Sequence, residues 1–243
     1  MPERTPEPFL TARLHSRLGS FSLKAEFSLS ARWTVLFGPS GVGKTSVMRI
    51  LAGLIRPEEG SIILSGRTLL DTTKGVFIPP GSRGVGFVTQ RPALFQHMSV
   101  AENVAFGLHS VAFEERKERV EAILELLEVA PLALRMPADL SGGEQQRIAL
   151  ARTLAPEPWM VLLDEPFSAL DASLKERILP KLASWLASRK IPAFYVSHDL
   201  AEAYQTAADV IVMQDGCVAA HGAARDVLAG ERDRLLRQLE DRS

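Results

Sequence analysis

Short apolar runs alternate along the chain with segments whose apolar residues recur every three to four positions, the pattern of parallel strands joined by crossover helices. Residues 32–37 read as a strand feeding a glycine-rich loop. Residues 44–54 then put Val47, Ile50, Leu51 and Leu54 on one helical face, with Pro57 just past the end. Residues 159–163 form an unbroken apolar run between Pro158 and two acidic residues, as a strand covered on both faces requires. Residues 193–196 form another run, ending at Ser197-His198. Between Gln90 and Ser141 the strand signal fades, and residues 114–129 carry Val120, Ile123, Leu124 and Leu127 on one helical face opposite charges. The pattern predicts an α/β core interrupted by a helical subdomain. Residues 210–213 and 217–220 flank Gln214-Asp215-Gly216, a hairpin signal. Leu228, Leu235, Leu236 and Leu239 predict a short amphipathic helix near the end.

Composition narrows the partners. The 243 residues, 46% of them hydrophobic, suffice for one large domain or a core with a subdomain. Lys+Arg number 28 against 29 Asp+Glu, so no broad basic field exists for nucleic acid or an anionic bilayer. Membrane association is therefore expected through a protein partner. The opening Met1-Pro2-Glu3-Arg4-Thr5-Pro6-Glu7-Pro8 lacks the order of a secretory signal, and no apolar run approaches the ~18 residues of a spanning helix. The chain is expected to stay in the cytoplasm. Cys217 permits no internal disulfide and reads as a small apolar side chain. The charge run at 114–119 reads as a solvated helix face.

Three segments carry chemistry. Gly38-Pro39-Ser40-Gly41-Val42-Gly43-Lys44-Thr45 fits G-x-x-x-x-G-K-[ST] between a strand and a helix. Its glycines let backbone N–H groups approach phosphate oxygens, and the following helix adds its positive end. Lys44 is placed to hold the β- and γ-phosphates, Thr45 to give its hydroxyl to Mg²⁺, and Ser40 and Ser46 to add contacts, with Ser46 equally readable as a first-turn helix residue. Asp164 closes an apolar strand, where its carboxylate can organise a Mg²⁺ shell, and Glu165 beside it is the candidate general base. Open parallel sheets bind ligands outside the carboxyl ends of their strands, so Lys44, Asp164, Glu165 and His198 are expected to converge on one edge. Ser141-Gly142-Gly143-Glu144 is a capping box ahead of a helix carrying Ile148, Leu150, Ala151 and Leu154, and Asp199-Leu200-Ala201-Glu202 fits another.

Leu140-Ser141-Gly142-Gly143-Glu144-Gln145, lying between the glycine-rich loop and Val161-Leu162-Leu163-Asp164-Glu165, makes nearly the whole chain resemble the ATP-binding subunit of an ATP-binding cassette (ABC) transporter. The resemblance implies a P-loop NTPase (RecA-like) core with a mostly parallel sheet, an N-terminal antiparallel β part and an inserted helical subdomain. Residues 1–90 and 146–243 would form the core and 91–145 the subdomain. It implies ATP and Mg²⁺ as cofactors, with Gln90 as the glutamine of the loop that reaches Mg²⁺ and the attacking water, and His198 as the switch histidine on the γ-phosphate. It implies head-to-tail closure of two copies, so that Ser141, Gly142, Gly143 and Glu144 complete the second copy's ATP site, with Asp171 of Ser168-Ala169-Leu170-Asp171 linking the sites. An aromatic residue that commonly stacks on adenine in this family is replaced by Leu18-Gly19, with Phe9 or Phe21 as the nearby substitutes.

Gln90 to Val104 is similar to the coupling region of bacterial importer ATPases, which implies that Leu94, Phe95 and Met98 form a groove facing a permease, with internal packing of the helical subdomain as the alternative for any one of them. The segments 66–75, 83–88 and 191–198 are most similar to the ATPase subunits of molybdate importers, which also tend to have leucine-glycine at the adenine position. That subfamily usually has a C-terminal oxyanion-sensing domain, for which this chain ends too early, so regulation within the subunit is not expected. The resemblance implies a motor at the cytoplasmic face of the membrane, partnered by permease subunits and, indirectly, by a periplasmic or lipid-anchored substrate-binding protein. Sulfate, tungstate and other importer cargoes stay open, since the permease and binding protein choose the cargo. A soluble ABC protein acting on nucleic acid would typically need a second cassette or long coiled coil, and neither is present. A non-hydrolysing switch is opposed by Lys44, Asp164, Glu165 and His198 together.

Overall fold

Alternating buried and exposed positions along residues 10–17 and 21–29 make two long strands with one face on the core, and this period-two pattern starts the fold. The computed structural model describes residues 7–19, 21–197, 199–206 and 208–230. In chain order it forms β1 (Leu10–Leu18), β2 (Phe21–Leu29), β3 (Trp33–Phe37), α1 (Lys44–Ala52), β4 (Glu59–Leu64), β5 (Arg67–Asp71) and β6 (Val76–Phe77). Then follow β7 (Val85–Val88), α2 (Val100–Ala105), α3 (Phe113–Leu126), α4 (Gly142–Leu154), β8 (Met160–Asp164) and α5 (Ala172–Ser188). The last elements are β9 (Ala193–Val196), α6 (Leu200–Gln205), β10 (Asp209–Gln214), β11 (Cys217–Ala223) and α7 (Ala224–Val227).

The chain divides into two compact units, one holding the residues through Arg83 and those from Phe194 onward, the other Gly84–Ala193. In the first, the strand order is β6-β5-β4-β1-β2-β11-β10-β3-β9. This sheet is mixed. β1 pairs antiparallel with both β2 and β4, and β5 and β6 extend the meander. β3 lies parallel to β10. The β10–β11 hairpin closes through Asp215 and Gly216, both at positive φ (48° and 78°), the primed turn that Asp-Gly favours. Val35, Leu36, Val47, Ile50 and Ile211 are fully buried, so α1 lies on a dry core.

α1 ends where Gly53 takes a left-handed conformation (φ 82°). Leu54, expected on the helix face, therefore leaves it and is 56% exposed. The carbonyls at this end are met by a buried arginine: Arg83 Nη1 donates to Ile50 O (2.9 Å) and Leu51 O (2.8 Å), and Nε to Ile78 O (2.8 Å). A cation at a helix C-terminus complements the macrodipole.

In the second unit β7 and β8 pair in parallel, and β8 is buried at all five positions. Trp159, expected in that strand, precedes it and is exposed, with its indole against Gly84. α4 packs on α2, α3 and β7. Arg147 repeats the device of Arg83, its Nη1 donating to Leu127 O (3.0 Å) and Glu128 O (2.7 Å) at the end of α3. The Glu128 carboxylate holds Lys181 and Arg177 of α5, and their hydrogen bonds draw its pKa below the ordinary value. Cys217 is exposed at the first position of β11. Leu228 is buried behind α7, whereas Leu235, Leu236 and Leu239 lie outside the described residues.

Candidate active site

The glycine-rich loop is shaped by its neighbours. A side chain on Gly38 would meet Met213 O at 2.4 Å, and one on Gly43 would start 2.9 Å from the Phe21 ring. Gly43 is the N-cap of α1 in a left-handed conformation (φ 97°), with no side-chain cap and no acidic residue in the first turn. The positive end of α1 is thus left for an external anion. Lys44 is buried, its Nζ donating to Gly38 O (2.7 Å) and Pro39 O (2.8 Å), so the ammonium is folded back over the loop. Pro39, Ser40 and Gly41 are exposed, Val42 is buried, and Thr45 and Ser46 are half-buried in the first turn of α1. Phe21 pairs with Leu18 across the β1–β2 turn. Phe9, preceding the other end of β1, is about 30 Å of strand away; of the two substitutes for the missing aromatic, only Phe21 adjoins this loop.

In the second unit, Asp164 ends β8 and is buried, and Glu165 follows at φ 49°, a left-handed conformation uncommon for a residue with a side chain. Gln90 Nε2 donates to Glu165 Oε2 (3.0 Å), bringing together two of the residues singled out in the sequence. At α4 the capping box is complete: Ser141 N and Oγ both donate to Glu144 Oε2 (2.8 and 2.7 Å), and Glu144 N donates to Ser141 Oγ (3.4 Å). Those bonds from Ser141 lower the Glu144 pKa. Gly142 faces open space. Asp171 is the N-cap of α5, accepting from Leu174 N (2.9 Å).

His198 lies outside the described residues. Beside it, the Tyr195 hydroxyl and Ser197 Oγ donate to the buried Glu202 carboxylate. Burial and this carboxylate push the Tyr195 pKa up. Asp199 caps α6 by accepting from Ala201 N (2.9 Å), and its own amide donates to Ser197 Oγ (2.9 Å). Glu202 is turned inward, so the expected reciprocal box gives way to this inner network.

Sequence reasoning missed Gln146. It is 1% exposed on α4, with Nε2 donating to Glu165 O (3.1 Å) and Ser168 Oγ (3.2 Å) and Oε1 accepting from Ala169 N (3.1 Å). Its spacing was a signal, since Gln146, Leu150 and Leu154 form one i, i+4, i+8 stripe, and an amide in an apolar stripe requires buried partners.

A glycine-rich loop opening a buried helix on an α/β sheet defines the class as a P-loop nucleotide-binding protein. The chain belongs to the ABC transporter family, whose model matches residues 24–168. It is 44% identical over 212 residues to the molybdenum import ATP-binding protein ModC of Mesorhizobium japonicum, covering 87% of this chain and 57% of that protein. It is 38% identical over 235 residues to the molybdate/tungstate import ATP-binding protein WtpC of Archaeoglobus fulgidus, covering 97% of this chain and 95% of that one. The chain spans about three-fifths of the length of the ModC proteins it matches. A solved structure of the ATP-binding cassette MJ0796, dimeric, post-hydrolysis and bound to ADP and Pi, aligns at a TM-score of 0.74 with 26% identity, covering 89% of this chain and 99% of that one.

Proposed function

We propose that the chain is the ATP-hydrolysing motor subunit of a membrane importer for molybdate or a related oxyanion. The observation that carries the reading is the Gln90–Glu165 hydrogen bond next to the buried Asp164, a carboxylate pair at the end of a buried strand. The glycine-rich loop and Lys44 bind the phosphates of ATP. Thr45, Asp164 and Gln90 offer a hydroxyl, a carboxylate and an amide oxygen, the hard donors that suit Mg²⁺, which supplies charge neutralisation on the phosphates. Water oxygen forms a bond to the γ-phosphorus as the bond to the β–γ bridging oxygen breaks; ADP leaves with the electron pair and Glu165 takes the water's proton. His198 is assigned to the γ-phosphate. A second copy closes head-to-tail, bringing Ser141, Gly142, Gly143, Glu144 and Asp171 to the other copy's nucleotide. Residues 91–145 act as the helical signature subdomain and the remainder as the nucleotide core.

No helix among the described residues is long and apolar enough to cross a membrane. The surface that suits a permease is a groove of about 300 Å³ between α2 and α3, lined by Ala101, Ala105, Phe113, Val120 and Leu124. Leu94, proposed from sequence for that role, is buried instead, and Phe95 packs on Phe106 with ring centroids 4.4 Å apart. Docked there, the chain sits at the cytoplasmic face, and a substrate-binding protein delivers cargo to the permease. The chain's similarity to molybdenum and molybdate/tungstate import ATP-binding proteins supports the oxyanion class.

The test pairs an enzyme assay with a cell assay. Glu165→Gln should lower ATP turnover at least ~100-fold, as expected for loss of a general base, while ATP still drives dimerisation. Cells carrying it, grown at limiting molybdate, should hold clearly less molybdenum than wild type. Near-normal turnover would remove Glu165 as the base, and unchanged cellular molybdenum would remove molybdate as the cargo.

A further inference from the structure

We infer that Gln146 is a positioning residue for Glu165: its buried amide fixes the backbone of the candidate base and ties that backbone to the first turns of the signature helix. The inference rests on the ATPase reading above and deepens it. Glu165 holds a left-handed backbone (φ 49°) despite its side chain, so its surroundings must impose that conformation. Two donors meet its carbonyl: Ser168 N (3.2 Å), which closes the turn after β8, and Gln146 Nε2 (3.1 Å), which comes from α4. The same amide binds Ser168 Oγ and Ala169 N, so one side chain holds three consecutive features of the 165–169 segment.

Close packing makes this link stiff. Gly143, in the first turn of α4, lies so near the segment that a side chain there would meet Ala169 O at 3.0 Å. Gln146 is buried among apolar neighbours on α4, so its amide has no water to exchange for these partners. Displacement of α4 by an anion at Ser141 therefore reaches the Glu165 peptide through this amide, whereas the Glu165 carboxylate accepts from Gln90. Gln146 touches neither nucleotide nor water in this scheme. It acts by setting the direction in which the Glu165 side chain leaves its backbone.

Gln146→Glu separates this role from general packing. Glutamate keeps the volume, accepts from Ala169 N and Ser168 Oγ, and loses only the donor to Glu165 O, against which it places a carboxylate oxygen. Gln146→Met keeps the volume with no hydrogen bonds and serves as the second variant if the buried glutamate prevents folding. The measurements are steady-state ATP hydrolysis by the full chain, thermal melting, and the same substitution in a Glu165→Gln background. The expected result is a kcat lower by about 10- to 100-fold at a KM for ATP within about twofold of wild type, with no further loss in the Glu165→Gln background, because residues acting as a unit are non-additive. Unchanged kcat in a folded Gln146 variant, or an equal loss with and without Glu165, would overturn the inference while leaving the ATPase reading intact. Absence of hydrolysis in the wild type would overturn both.

Discussion

Two glycine-rich helix starts, α1 and α4, treat the same physical problem in opposite ways. Each must satisfy the unpaired N–H groups of a first turn and the positive end of a helix. α1 opens with Gly43 and Lys44, with neither a capping side chain nor an acidic residue. A cation at that end is unfavourable by itself, and its ammonium donates to Gly38 O and Pro39 O. α4 opens with Ser141 and Glu144, which close a complete capping box and place a carboxylate on the positive end. In the proposed function, one start gives up local stability to receive an outside anion. The other supplies its own, so in the proposed dimer a phosphate of the second copy's nucleotide would compete with Glu144 for the Ser141 hydroxyl.

The strongest way to break this contrast is to remove the cation from α1. Lys44→Ala should abolish ATP hydrolysis, by more than ~100-fold in kcat/KM, because the phosphate charge loses its one buried counterion in the loop. Phosphate release and ATP titration measure it, and tight ATP binding by the variant would show that the α1 start is not the anion site. Next in size is the far end of the same helix. Arg83→Met removes the arginine donor from the Ile50, Leu51 and Ile78 carbonyls and should cost about 2–4 kcal/mol in urea unfolding. A loss under 1 kcal/mol would mean that this end of α1 relaxes to find other donors.

The contrast itself was half visible in the sequence. The G-x-x-x-x-G-K-[ST] spacing and the Ser141–Glu144 box are local, so strand, loop, helix and cap could be read from adjacent residues. β9 and the Asp-Gly hairpin were equally legible, since apolar runs and primed turns are short-range signals. What stayed hidden depends on distant partners. Arg83 and Arg147 look like surface charges until the carbonyl ends of α1 and α3 are brought to them. Gln146 looks like one more polar residue after the signature, although its place in the Leu150–Leu154 stripe marked it as buried. Leu54 and Trp159 were misplaced by one step of pattern extension, the first by the left-handed Gly53 and the second by a strand that begins one residue later.

The smallest expected effect sharpens the comparison most directly, because it changes only the charge on α4. In Glu144→Gln the side-chain oxygen still accepts from Ser141 N and Oγ, so the box keeps its shape while the helix end loses its internal anion. Folded Glu144 has a pKa below its ordinary value, mainly through the Ser141 hydroxyl. Its contribution to stability is therefore present above the ordinary carboxylate range and disappears as pH falls through the lower folded value. The variant should be slightly less stable than wild type near neutral pH, and the difference should vanish in acid as wild-type Glu144 becomes protonated. The proposed dimer should respond in the opposite sense. With the competing carboxylate gone, ATP-driven dimerisation of the Glu165→Gln chain should tighten by about two- to fivefold at neutral pH, the scale of one exposed charge at a helix end. Weaker dimerisation of the double variant would mean that the Glu144 charge supports the arriving nucleotide site, and that α4 and α1 differ in geometry more than in charge.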